Sequence, residues 1–94
     1  KRANQPWLKK YNSTEFFSAV ELYEMHKTAS LNLSFLKTED IENFGDQAFL
    51  TEAVLLEINV LNNDIYYQFF TPTNDGIGYG ALMKLAQIAL QRMP

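Results

Sequence analysis

At 94 residues, 47% of them hydrophobic, 14% aromatic and 20% charged, the chain has the apolar content of one folded domain and lacks the length for two. The absence of cysteine excludes disulfide frameworks, thiol nucleophiles and thiolate metal sites together. The net charge of −3 hides a basic start (Lys1, Arg2, Lys9, Lys10) and a remainder, residues 11–94, with four basic against eleven acidic side chains, or −7, which disfavours binding to nucleic-acid phosphates.

Residues 1–10 read as an N-terminal arm, with Pro6 holding it extended and Trp7 pinning it to the body, and residues 11–94 as a single domain. Asn12 followed by Glu15 has the spacing of a capping box, with Tyr11 and Phe16 as its hydrophobic staple, and so predicts a helix over about residues 12–28. Phe16, Ala19, Val20 and Tyr23 form its apolar stripe. Leu31-Asn32-Leu33-Ser34-Phe35 alternates with period two and predicts a half-buried strand. Thr38 to Phe44 reads as a short helix with acidic residues in its first turn, stopped by Gly45, and residues 46–52 carry no decisive pattern.

The strongest tertiary signal lies in residues 53–70. A turn at Asn62-Asn63 sets Val60 opposite Ile65, Ile58 opposite Tyr67 and Leu56 opposite Phe69, all on one apolar face. The other face pairs Asn59 with Tyr66, Glu57 with Gln68 and Leu55 with Phe70, a mostly polar set suited to water or a partner. Residues 71–78 form a loop by composition. Leu82, Leu85, Ala86, Ala89, Leu90 and Met93 then line one side of a helix over about residues 79–92, placed to cover the apolar face of the hairpin. The expected fold is α+β: an antiparallel sheet of three to four strands with helices packed on one face, in the order helix, strand, short helix, strand, strand, helix.

Enzyme signatures are lacking. His26 is the single histidine, no Gly-x-Ser-x-Gly elbow accompanies it, and no His-x-x-x-His spacing offers zinc a site, so neither a catalytic set, a metal nor a cofactor is expected. Glu57 is the carboxylate to watch: either an exposed strand residue whose loss costs under about 1 kcal/mol, or the floor of a groove made with Asn59, Tyr66, Gln68 and Phe70. Aromatic side chains among polar groups on an acidic surface suit a binding hot spot. The expected function is therefore a small protein-binding module of inhibitor, immunity or adaptor type. Glu57, Asn59, Asp64, Tyr66, Gln68, Phe70 and Asp75 would meet a basic protein partner, with encounter steered by charge.

Two resemblances supply alternatives. The string Gly76-Ile77-Gly78-Tyr79-Gly80-Ala81-Leu82 resembles the glycine box of the histidine-kinase and gyrase type of ATP-binding domain, which implies a nucleotide or phosphate held by Gly76, Gly78 and Gly80. The element order is similar in layout to that of acidic secretion chaperones, which implies a homodimer through the hairpin or the final helix. No apolar run approaches the ~18 residues of a membrane span, and no signal-peptide pattern is present, so a soluble chain is expected and the cytoplasm is the favoured compartment.

Overall fold

Alternating apolar residues build the centre of the molecule. The computed structural model describes residues 8–72 and 78–92. Its elements in chain order are β1 (Leu8–Tyr11), α1 (Ala19–Leu31), β2 (Lys37–Asp40), β3 (Gln47–Glu52), β4 (Leu55–Asn62), β5 (Ile65–Pro72) and α2 (Tyr79–Arg92). All strand pairs are antiparallel, in the order β1-β5-β4-β3-β2. The expected α+β class holds, with a five-stranded sheet in place of three to four strands and a different element order.

The β4–β5 hairpin turns at Asn63 (φ 53°) and Asp64 (φ 62°). Two consecutive left-handed residues make the tight turn that suits right-twisted strands, and Asn and Asp tolerate that conformation better than other non-glycine residues. The expected turn at Asn62-Asn63 is therefore displaced by one residue, and the partners change to Val60–Tyr67, Ile58–Phe69 and Leu56–Thr71. Moving a turn by one residue moves the register by two, so every side chain keeps its expected face. Asp46 helps fix this register, because its carboxylate accepts the Asn63 N–H at 3.1 Å and its own N–H donates to the Leu61 carbonyl at 2.8 Å.

Each sheet face has its own core. Leu56, Ile58, Val60, Tyr67 and Phe69 pack with Leu82 and Ala86 of α2, as the sequence pattern anticipates. On the opposite face Phe49, Leu61 and Tyr66 pack with Ala19 and Tyr23 of α1. The helices thus sandwich the sheet instead of sharing one face. The cause is connectivity: β1 and β2 occupy opposite edges, and α1, which joins them, crosses the face that α2 leaves open.

Local expectations shift for related reasons. Tyr11 is held in β1 opposite Tyr66, so the chain is still extended at Asn12 and the helix begins later. Its capping box is Ser18 with Glu21: the Glu21 N–H donates to Ser18 Oγ at 3.0 Å, and the Ser18 N–H donates to Glu21 Oε1 at 2.8 Å. Thr14, within the expected cap region, instead accepts the Phe16 and Phe17 N–H groups in a local turn. Leu31, expected to open a strand, ends α1, and Leu33 and Phe35 lie in the turn beyond it. Thr38 to Asp40, expected in a short helix, form the edge strand β2, and residues 47–52 become β3. Leu8, Lys9 and Lys10, assigned to the arm, belong to β1.

Gly45 sits at φ +60°, where an added Cβ would lie 2.6 Å from Val60 Cγ1 and 2.9 Å from the Leu61 carbonyl oxygen. Both its conformation and this close approach require glycine. Among the described residues no helix is long and apolar enough to cross a membrane.

Candidate functional site: the groove beside α1

Four strands contribute polar side chains to the face beneath α1. Sheet register brings them together: Tyr11 lies opposite Tyr66, Gln68 opposite Asn59, and Glu57 opposite Thr51. The helix supplies the rest. Ala19, Tyr23, His26 and Ser30 recur at spacings of four, three and four along α1, the spacing of a single helical face, which turns His26 toward the sheet.

The resulting network runs unbroken from β1 to β3. Tyr11 OH donates to Gln68 Oε1 at 3.1 Å, and Gln68 Nε2 donates to Tyr66 OH at 2.9 Å and to Asn59 Oδ1 at 3.2 Å. Tyr66 OH donates to Asn59 Oδ1 at 2.7 Å. Asn59 Nδ2 then donates to Glu57 Oε1 at 3.2 Å, as does Thr51 Oγ1 at 3.2 Å, while His26 Nε2 lies 3.0 Å from the same oxygen. Asn59 is 0% exposed and Tyr66 2%. Partners of this kind are what allow such groups to be buried, since an unpaired buried amide or hydroxyl costs about 1–3 kcal/mol.

Electrostatics follow from the geometry. Burial alone would raise the pKa of Glu57, but hydrogen bonds from His26, Asn59 and Thr51, with the charge of His26, outweigh it and hold the carboxyl below its ordinary value. Burial pushes the Tyr66 hydroxyl well above the ordinary tyrosine value, and the Glu57 carboxylate adds to that shift. Tyr66 is thus a neutral donor and acceptor in the network.

Beside this network, between the C-terminal half of α1 and the β3–β4 turn, lies a cavity of about 350 Å³. Glu57, His26 and Thr51 form its polar side, while its rim carries Leu33, Phe35, Val54 and Leu55. These four are exposed, Phe35 at 72% and Val54 at 81%. Among the described residues no lysine or arginine lines the cavity.

Of the residues singled out in the sequence, Glu57, Asn59, Tyr66 and Gln68 do meet, but beneath α1. Asn59, Tyr66 and Gln68 are buried, which corrects their assignment to a partner-facing surface. Phe70 lies opposite Glu57 at the margin, with Lys9 Nζ 5.8 Å above its ring. Asp64 sits in the hairpin turn, away from the network, and Asp75 and Gly76 lie outside the described residues. Gly78 precedes α2 and Gly80 falls in its first turn, and an added Cβ at either would meet nothing within 4 Å.

His26, Thr51 and Tyr11 were missed. The signal for His26 was its place three residues beyond Tyr23 on the Ala19–Tyr23 stripe, within the helix expected over about residues 12–28. Thr51 carried no signal while its strand was unassigned. Among the described residues no cluster of three or more His, Asp or Glu side chains could hold a metal ion. The chain matches no protein family, no curated protein and no solved structure.

Proposed function

We propose that the chain is a protein-binding module that seats apolar side chains of a basic partner in the groove beside α1, and that it is not an enzyme. The observation that carries this reading is the ring of exposed Leu33, Phe35, Val54 and Leu55 around the cavity. Contiguous exposed apolar side chains on a small domain mark interaction surfaces, and a macromolecular partner covers such a rim where a small ligand would fill only the hollow. The acidic body favours a basic partner through steering. Ser30 Oγ donates to the His26 carbonyl oxygen and does not meet the His26 ring, which favours a positioning role for the His26–Glu57 pair over activation of that hydroxyl.

The test is capture of proteins from the native source by the wild-type chain beside Phe35→Asp and Val54→Asp. The reading expects a basic protein retained by the wild type and lost with both variants. Equal retention by all three chains would refute it.

A second reading, a homodimer, draws on Leu85 and Ile88, which are exposed on the side of α2 away from the sheet. Pairing through the hairpin edge is closed, since β4 and β5 each have neighbours on both sides. Light scattering decides the matter: a mass of 10.8 kDa across a wide concentration range excludes the dimer.

A further inference from the structure

We infer that the cavity beside His26 receives a lysine side chain of the partner, its methylene stem against Leu33, Phe35 and Leu55 and its ammonium on Glu57 Oε2. The inference rests on the protein-binding reading and specifies the chemistry of the same groove.

Three observations lead to it. First, the three hydrogen bonds at Glu57 all fall on Oε1, so Oε2 accepts none of them. Second, Oε2 is not sealed in: among the described residues the buried side-chain oxygens without a partner belong to Tyr23, Thr38 and Tyr67. The Glu57 side chain keeps 18% of its surface accessible and lines the cavity, which leaves Oε2, with no hydrogen bond among the described residues, as a candidate acceptor there. Third, among the described residues no lysine or arginine lines the cavity; His26 meets Glu57 at Oε1, and the two further donors to that oxygen, Thr51 and Asn59, are neutral. An ionised carboxylate with one open oxygen, set among aliphatic and aromatic walls, complements a group with an apolar stem and a cationic head.

That geometry separates lysine from arginine. A guanidinium gains most from two parallel bonds to both carboxylate oxygens, and here Oε1 is already engaged by His26, Thr51 and Asn59. An ammonium is a compact charge that is served by one oxygen.

The test uses the full chain and a graded set of probes followed by amide and methyl chemical shifts near neutral pH. Hexylammonium should bind with a dissociation constant on the order of millimolar, as its few heavy atoms allow. Its shifts should centre on Leu33, Phe35, Val54 and Glu57. Hexanol and hexanoate should bind roughly tenfold or more weakly, and Glu57→Gln should reduce hexylammonium to the level of hexanol. Glutamine keeps an acceptor at the Oε1 position, and the comparison of probes on the wild type does not depend on any variant folding. The peptide acetyl-Leu-Lys-Leu-amide should bind at least as tightly as hexylammonium, and its norleucine counterpart about tenfold more weakly.

Equal affinity for hexanol and hexylammonium, or a preference untouched by Glu57→Gln, would overturn the inference. Binding of the free amine without the peptide would overturn the lysine assignment in favour of a small amine ligand. If the probes fail while Phe35→Asp still abolishes partner capture, the lysine inference falls and the protein-binding reading stands. If the probes and the peptide succeed while capture is insensitive to Phe35→Asp, the reading of the rim falls instead.

Discussion

Convergence of His26, Asn59 and Thr51 on one oxygen of Glu57 determines how the protein responds to acid. The carboxyl has a lower pKa in the folded chain than its ordinary value of 4.5, so it binds its proton more weakly when folded. Its contribution to stability is therefore complete above about pH 4.5 and is lost as pH falls through the lower folded value. Denaturant midpoints measured from pH 7 downward should drop in that window, and Glu57→Gln should flatten that part of the profile. Glu57→Ala strands Thr51 and the Asn59 amide and should cost about 1–3 kcal/mol, more than an exposed strand residue would. Gly45→Ala should cost about 2–4 kcal/mol in urea unfolding, combining left-handed strain with a clash on Val60. The common face of Glu57, Asn59, Tyr66 and Gln68 was legible in the period-two pattern. Their burial was not, because alternation distinguishes two faces without saying which elements will cover them.

At the scale of elements, the two competing helix starts make a clean comparison. Ser18→Ala removes one half of the capping box and should destabilise by about 1 kcal/mol, with faster amide exchange in the first turn of α1. Asn12→Ala, at an exposed position outside the helix, should stay within about 0.5 kcal/mol. An equal loss at Asn12 would return the helix start to the earlier position. Capping signatures were present at both places, and only the pairing of Tyr11 with Tyr66, a contact distant in sequence, selects Ser18. Distance in sequence also concealed β2 and β3: the run Lys37-Thr38-Glu39-Asp40 is polar throughout and is a strand because it pairs with residues 49–52. The hairpin was readable because its contacts are local. Its register was ambiguous by two residues because Asn62-Asn63 and Asn63-Asp64 both offer turn chemistry, until Asp46 is seen to hold the Asn63 N–H.

For the molecule as a whole, the sheet divides the labour between its faces. The α2 face is a largely apolar core in which Ile58, Val60 and Phe69 are fully buried, and Phe69→Ala should cost about 3–5 kcal/mol as a cavity-forming truncation. The α1 face carries a satisfied polar network and, beside it, the apolar-rimmed cavity. Both faces carry a buried core, and the rim side chains Leu33, Phe35, Val54 and Leu55 lie outside both, so changes at the rim should alter binding without unfolding the chain. Phe35→Asp should accordingly leave the urea midpoint within about 0.5 kcal/mol of the wild type. The most direct measurement is the binding kinetics of the captured basic partner with the wild type and with Phe35→Asp over a range of salt. The account predicts an association rate that falls as salt rises, and a dissociation rate at least about tenfold faster for Phe35→Asp. Unchanged dissociation in that variant, with the partner still bound, would contradict it.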